Sequence, residues 1–264
     1  MEKIFNIFIK NCLGAETLTL YSSPLATFIC MFLIIYLFSY FKLFRSWNSK
    51  HRAEASSSFI SLAHGTPAVI LALFAILPDS TSPLSGFTSP NTEFQNMVLD
   101  FSIAYFVIDL SHYMVFFPSD ALFIAHHLAT LYVFTTCRFV VRHGSVPILI
   151  LLILAEITSA CQNTWSIAGY RKSDVPAARR LHEFLSPLFY AFYTVVRGIL
   201  GPIFVYAMAV YYTSGAADGI IPRWAWISWM CVIVCAVLLS ILWITDKWIA
   251  FYKDNHRIKD VIQK

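Results

Sequence analysis

Residues 104–131 read AYFVIDLSHYMVFFPSDALFIAHHLATL, and this stretch indicates the fold of the whole chain. Two apolar runs flank the tripeptide Pro118-Ser119-Asp120. A proline cannot continue a helical hydrogen-bond ladder, and a serine or aspartate can cap the helix that follows. The stretch therefore predicts two apolar helices in a tight hairpin about Ser119, with ionisable side chains inside both of them.

The composition of the whole chain excludes an ordinary water-soluble protein. Hydrophobic residues make up 58% of the 264 residues and charged residues only 13%, whereas soluble domains carry about 25% charged residues. So little charge cannot cover a water-facing surface, so lipid must surround much of the chain. The net charge of +4 is gathered in short segments, which excludes the continuous basic face that nucleic-acid binding requires.

Seven apolar segments are long enough to cross a bilayer, which takes about 20 helical residues. The predicted fold is therefore all-α, a polytopic membrane bundle of about seven transmembrane helices. The expected spans are residues 21–44, 57–77, 94–117, 121–141, 146–168, 185–212 and 224–252.

The charged residues between the spans predict the topology. An odd number of spans places the two termini on opposite sides of the membrane. Segments 42–52, 171–180 and 247–264 are basic and then share one face, whereas loops 78–93 and 213–222 are acidic or neutral and share the other. Because basic loops face the cytosol, we expect a lumenal N-terminus and a cytosolic C-terminus.

Ionisable residues inside the spans fall at common depths. A charged group at mid-bilayer costs about 2.5–3.5 kcal/mol even on insertion scales, so such groups normally face the bundle interior. The depth of each residue follows from its distance in sequence from Ser119 or from a predicted helix end, at about 1.5 Å per residue. These depths fall into two layers. The layer nearer the cytosol contains His64, His112, His126, Asn163 and Tyr193. The deeper layer contains Asp109, Thr130, Glu156 and Arg197.

This layering predicts a cavity that admits an acyl chain and its polar head from the cytosolic leaflet. Structural alternatives exist for several residues. Asp109 or Glu156 could pair with Arg197 to hold the bundle together, and His64 could be a simple interhelical hydrogen bonder. Near the far interface, Arg138 and Arg142 are expected to snorkel, and Asp100 could be structural or reach the headgroups.

The adjacent pair His126-His127 is the strongest candidate for chemistry. Neighbouring residues on a helix point about 100° apart, so both rings reach one site only from the bundle interior. We predict that His126 or His127 acts as a base or nucleophile while Asp109 orients an imidazole. A metal site is disfavoured, because no HxxxH or HExxH spacing places two histidines on one helix face.

Six short stretches together resemble the TLC domain of the translocating-chain-associated membrane proteins, the longevity-assurance ceramide synthases and the CLN8 protein. The resemblance spans residues 53–260 and implies a six-helix barrel, preceded by an N-terminal segment (1–52) with the first span. A basic cytosolic tail (253–264) ends the chain. The stretches are SFISLAHG (58–65), AYFVIDLSHYMVFF (104–117), IAHHLATL (124–131), RHG (142–144), AEITSACQNTW (155–165) and FYTVVRGILGP (192–202).

In ceramide synthases a histidine pair belongs to the acyl-transfer site, and His126 and His127 match it. In those enzymes the pair is followed by His-Asp and then by another Asp on the next span. Residues 147–160 contain no His and no Asp, and Glu156 is their one acidic residue. The pattern is more similar to the non-synthase TLC-domain proteins, which implies a role in membrane lipid homeostasis. The resemblance implies residence in the endoplasmic reticulum.

The expected partners are membrane lipids and fatty acyl groups, with acyl-CoA as a candidate substrate and with no cofactor. Two other functions remain open at this point. One is N-acylation of a sphingoid base, as in ceramide synthases. The other is a lipid sensor or trafficking factor without catalysis. Neither the lipid species nor the oligomeric state follows from the sequence.

Overall fold

The computed structural model describes residues 24–77 and 85–262. The predicted N-terminal segment up to residue 23, residues 78–84 of the acidic loop and the side chains of the basic tail lie outside the described residues. Seven helices in the described part are long and apolar enough to cross a membrane. They are α1 (Pro24–Leu43), α2 (Ser49–Ile76), α3 (Glu93–Phe116), α4 (Ala121–Val141), α5 (Ser145–Tyr170), α6 (Pro176–Thr213) and α7 (Arg223–Ile262, apolar as far as Ile249).

The predicted all-α bundle is confirmed. The described residues contain no β-strand, only an isolated bridge between Pro90 and His143. Large apolar side chains remain exposed on the outside of the bundle, for example Ile34 at 65% and Phe184 at 66%. A soluble monomer rarely exposes contiguous apolar surface on this scale. The exposed belt therefore faces lipid tails.

Two helices begin about two turns earlier than the sequence predicts. Helix α2 starts at Ser49, about two turns before the expected residue 57. Asn48 caps it, since its side chain accepts a hydrogen bond from the backbone N–H of His51. Helix α6 starts at Pro176, which suits the first helical turn because proline lacks an N–H donor. The polar segments before spans two and six are thus helical, which shifts every depth counted from those ends.

Four helices contain irregular turns. The segments Ser39–Leu43 in α1, Thr136–Val141 in α4 and Thr194–Leu200 in α6 are π-helical. Helix α5 is broken after Glu156 and resumes at Ser159. Single π turns are frequent at functional sites, and the irregularities in α5 and α6 both lie beside the central cavity described below.

A set of mutual hydrogen bonds closes the bundle at the end where α3 and α5 begin. The Asn91 side chain donates to the Cys137 carbonyl at 3.1 Å and accepts from the backbone N–H of Ser145 at 3.0 Å. The Ser145 hydroxyl donates to Gln95 Oε1 at 2.7 Å. Gln95 in turn donates to the Ala75 carbonyl at 3.2 Å. These bonds tie α2, α3, α4 and α5 together at one end.

Candidate functional site

A cavity of about 370 Å³ lies inside the bundle. Helices α2 to α7 all contribute to its wall, whereas no described residue of α1 does. Its volume is within the range of about 300–1,000 Å³ that is usual for small-molecule sites. Eight of the ten predicted site residues line it: Asp109, His126, His127, Thr130, Glu156, Asn163, Tyr193 and Arg197.

The carboxylate of Asp109 is the centre of a buried hydrogen-bond group at the α3–α4 hairpin. Ser57 of α2 donates to Asp109 Oδ1 at 2.7 Å, and His127 Nε2 lies 2.9 Å from Asp109 Oδ2. The Tyr105 hydroxyl donates to Oδ2 at 3.4 Å. Asp109 and His127 are both almost fully buried, at 1% and 2% exposure. A buried charge is normally paired and hydrogen-bonded, and here the pairing is internal.

Both ring nitrogens of His127 are engaged by these contacts. Nδ1 lies 2.9 Å from the carbonyl oxygen of Phe123, which can only accept, so Nδ1 carries the hydrogen. Nε2 is directed at Asp109 Oδ2, 2.9 Å away. His127 therefore has no nitrogen lone pair directed at a ligand in the cavity.

His126 differs from its neighbour in this respect. Its half-buried ring lines the cavity, and within the described residues no hydrogen bond reaches either ring nitrogen. The Trp243 ring of α7 lies 6.4 Å away, centroid to centroid. The Thr130 hydroxyl donates to the His126 backbone carbonyl at 2.9 Å, which positions this turn of α4. His126 is thus the imidazole of the pair that is available to a ligand.

Glu156 ends the first half of α5 and turns towards α2. The Ser159 hydroxyl donates to Glu156 Oε2 at 2.5 Å. The same oxygen lies 3.9 Å from His64 Nδ1. A Cβ atom on Gly65 would lie only 2.9 Å from Oε2 and 2.7 Å from Ser159 Cβ. The absence of a side chain at Gly65 therefore allows α2 and α5 to approach around the carboxylate.

Arg197 reaches into the cavity from the π-helical part of α6. One guanidinium nitrogen donates to the carbonyl of Ala155, and the guanidinium carbon lies 5.1 Å from the centroid of the Tyr193 ring. The Nε atom is buried without a hydrogen-bond partner. The expected alternative, an ion pair of Arg197 with Asp109 or Glu156, does not occur among the described residues.

The structure corrects the placement of His64 and His112, which do not line the cavity. His64 stacks on Tyr105 with ring centroids 4.1 Å apart and lies one layer deeper than expected, because α2 begins at Ser49. His112 Nδ1 forms a 2.8 Å hydrogen bond with the hydroxyl of Tyr36 on α1. Counting along a helix predicts depth but not direction around the axis, and His112 faces α1.

The structure also corrects the interpretation of Arg138 as a snorkelling residue. Its guanidinium forms two parallel hydrogen bonds with the Asp100 carboxylate, at 3.0 and 3.2 Å. Asp100 and Arg138 are each nineteen residues from Ser119, so the hairpin count that placed His112 at the depth of His126 would have found this pair. Ser57 was missed as a partner of Asp109 because it lay at the expected boundary of its span.

Asn163 on α5 joins the polar wall through Ser61 of α2. The Asn163 side chain donates to the Ser61 hydroxyl at 2.8 Å. Among the described residues, no group of three or more His, Cys, Asp or Glu side chains is arranged to hold a metal ion. Several polar groups of the wall thus bond to one another, whereas His126 and Arg197 have ring or guanidinium nitrogens without a partner among the described residues.

Comparison with known proteins agrees with this architecture. The family model of the TLC domain matches residues 54–248. The TLC domain-containing protein At5g14285 of Arabidopsis thaliana is 53% identical over 243 residues, which cover 91% of this chain and 94% of the relative. No solved structure matches the chain. With its seven apolar helices and a TLC domain across α2 to α7, the chain is an integral membrane protein that belongs to the TLC-domain family.

Proposed function

We propose that this protein binds an acyl lipid or acyl-CoA in its central cavity and acts in membrane lipid homeostasis. The observation that carries the proposal is the division of the cavity into a polar part and an apolar part. The polar part contains Ser57, Asp109, His126, Glu156, Asn163 and Arg197, and the apolar part contains Val133, Phe134, Ile148, Leu152, Val232 and Ile233.

Two antiparallel helices support this division independently. On α4 the apolar residues Val133 and Phe134 follow His126 along the chain, whereas on α5 the apolar Ile148 and Leu152 precede Glu156. Because the two helices run in opposite directions, both sets of apolar residues lie towards the same end of the bundle. A polar head and an apolar tail fit such a site in one orientation.

The proposed ligand enters from the cytosolic leaflet. The turn at Ser119 and the basic segments 42–52 and 171–180 lie at the end of the bundle nearer the polar part. Basic loops favour the cytosolic side, and the far end is closed by the bonds around Asn91 and Gln95. We propose the endoplasmic reticulum as the membrane, with a lumenal N-terminus and a cytosolic C-terminus.

Lipid that co-purifies with the full chain tests the proposal. Mass spectrometry of the purified protein should find an acyl species enriched well above its share of the host membrane. Ala236→Phe places a ring in the cavity, whereas Cys235→Phe adds the same ring to the lipid-facing side of α7. We expect the first variant to lose the bound species and the second to keep it. Equal loss in both, or no enrichment in the unmodified protein, contradicts the proposal.

A second candidate, acyl transfer of the ceramide-synthase type, is favoured by the free ring of His126 beside the His127–Asp109 pair. A His126 nitrogen would attack the thioester carbonyl of acyl-CoA, and the C–S bond would break. The thiolate would leave as the thiol by taking the proton of the imidazole, and the acyl group would remain on His126. A sphingoid amine would then attack the acyl-imidazole, so that an amide forms and His126 recovers its proton.

Incubation of the purified protein with acyl-CoA and sphinganine decides this candidate. Acyl transfer by His126 requires that the unmodified protein forms an N-acylated product and that the His126→Ala variant does not. If no product forms over many hours while lipid remains bound, acyl transfer is excluded and a lipid sensor or trafficking factor is the remaining function. Such a factor would retain its effect on cellular lipids after substitution of His126 by alanine.

A further inference from the structure

The guanidinium of Arg197 is a cation in the bundle interior without a counter-ion. Its bonding within the described residues consists of one hydrogen bond to the Ala155 carbonyl and contact with the Tyr193 ring. Its Nε–H is buried and has no acceptor. Burying a charge is costly unless it is paired and hydrogen-bonded, so this arrangement is incomplete as it stands.

The two carboxylates that line the cavity are committed elsewhere. Asp109 accepts from Ser57 and pairs with His127. Glu156 accepts from Ser159, and its Oε2 lies against Gly65 on α2. Neither carboxylate comes within ion-pair distance of Arg197. The missing anion therefore has to come from outside the described side chains.

We propose that the lipid bound in this cavity carries an anionic head, a carboxylate or a phosphate, which pairs with Arg197. The inference rests on the proposed function and specifies its ligand class. A guanidinium presents its N–H donors in a fork that matches the oxygens of either group. The unpartnered ring of His126 lines the same cavity and can supply a further hydrogen bond to the head.

The position of Arg197 also limits the rest of the ligand. Gly201 lies one turn beyond Arg197 on α6 and lines the wall, as do Val232 and Ile233 of α7. A tail that starts from a head at Arg197 therefore runs directly into the apolar part. A cavity of about 370 Å³ suits a single acyl chain, which favours a free fatty acid or a single-chain phosphate over a two-chain lipid.

Competition binding on the full chain in detergent tests the inference. The probes are dodecanoic acid, dodecyl phosphate and 1-dodecanol, each displacing radiolabelled dodecanoic acid. We expect at least one of the two anions to bind about tenfold or more tightly than the alcohol, since a hydrogen bond to a charged group contributes about that much. The stronger anion distinguishes a carboxylate ligand from a phosphate ligand.

Three variants assign the preference to Arg197. Arg197→Gln should remove the preference for the anion, so that the anionic probes and the alcohol bind equally. Arg197→Lys should retain most of that preference, because the side chain is still a cation. Arg223→Gln, which removes an exposed guanidinium at the start of α7, should leave the preference unchanged. If Arg197 instead only balances Glu156 at long range, Arg197→Gln and Glu156→Gln each lower stability, the double variant recovers it, and the anion preference persists in Arg197→Gln.

The outcomes separate this inference from the proposed function. Equal binding of all three probes by the unmodified protein overturns the anionic-head inference but leaves an acyl-binding cavity. Failure of all three probes to bind contradicts the proposed function itself. The comparison of probes on the unmodified protein holds even if Arg197→Gln does not fold.

Discussion

Helix α3 carries two buried aspartates, and their surroundings differ in an instructive way. Asp100 lies near the closed end and forms a two-point ion pair with Arg138. Asp109 lies beside the cavity and bonds with Ser57 and His127. No atom of the Asp100–Arg138 pair lines the cavity, whereas Asp109 and His127 do.

The wider surroundings of the two aspartates differ in the same way. At the closed end, Asn91, Gln95 and Ser145 satisfy one another and the backbone around them. Beside the cavity, the ring of His126 and the Nε–H of Arg197 have no acceptor or donor among the described residues. Buried polar atoms without partners also occur at the closed end, namely Asn96 Oδ1, Tyr212 Oη and Trp226 Nε1. The two regions therefore differ in that Arg197 and His126 line a cavity, which the groups at the closed end do not.

The largest effect is expected from breaking the pair at the closed end. Arg138→Met leaves the buried carboxylate of Asp100 without its partner, which should lower the free energy of unfolding by about 3 kcal/mol. The double variant Asp100→Leu with Arg138→Met should recover most of the loss, because no unpaired charge remains. Denaturant unfolding in detergent measures both. Loss of lipid binding in a folded double variant would contradict a purely structural role.

The histidine pair provides the next test. His127→Ala removes the partner of the Asp109 carboxylate and should lower the free energy of unfolding by about 2 kcal/mol or more. His126→Ala removes a ring that has no hydrogen bond among the described residues. It should change the free energy of unfolding by less than about 0.5 kcal/mol. The same unfolding measurement compares them. Equal destabilisation would show that His126 is as much a structural residue as His127.

Two glycines test the packing beside the cavity. Gly65→Ala forces a methyl group against Ser159 Cβ at 2.7 Å and should destabilise by about 1–3 kcal/mol. Gly201→Ala is its matched control, because a Cβ there meets only the Val196 carbonyl at 3.5 Å. Helix propensity favours alanine over glycine, so Gly201→Ala should be neutral or stabilising. Equal stability of the two variants would contradict the close approach of α2 and α5.

The smallest effect concerns the length of the acyl tail that we propose is bound in the cavity. From His126 to Phe134 the cavity wall extends about 12 Å along α4, which accommodates about nine or ten carbons of an extended chain at ordinary bond lengths. Gly201→Leu narrows this part and should shorten the bound chain by a few carbons. Ile203→Phe, on the lipid-facing side of α6, should not. An unchanged chain-length profile in Gly201→Leu would place the tail elsewhere.

The fold was largely predictable because each span is read from local composition. All seven expected helices are present, and the expected hairpin about Ser119 brings Asp109 of α3 against His127 of α4. The site was only partly predictable. The same count placed His112 at a suitable depth, but a contact with Tyr36, far away in the chain, decides that His112 faces α1.

By itself the sequence determined the class, the number of spans and the depth of the polar residues on the hairpin. The thickness of a bilayer is a constant external length, so the length of an apolar run is enough to recognise a span. Only the tertiary structure decided which imidazole of His126-His127 is free and that Arg197 has no carboxylate partner. Those outcomes depend on how each helix is rotated about its axis, which contacts between distant segments determine and local periodicity does not.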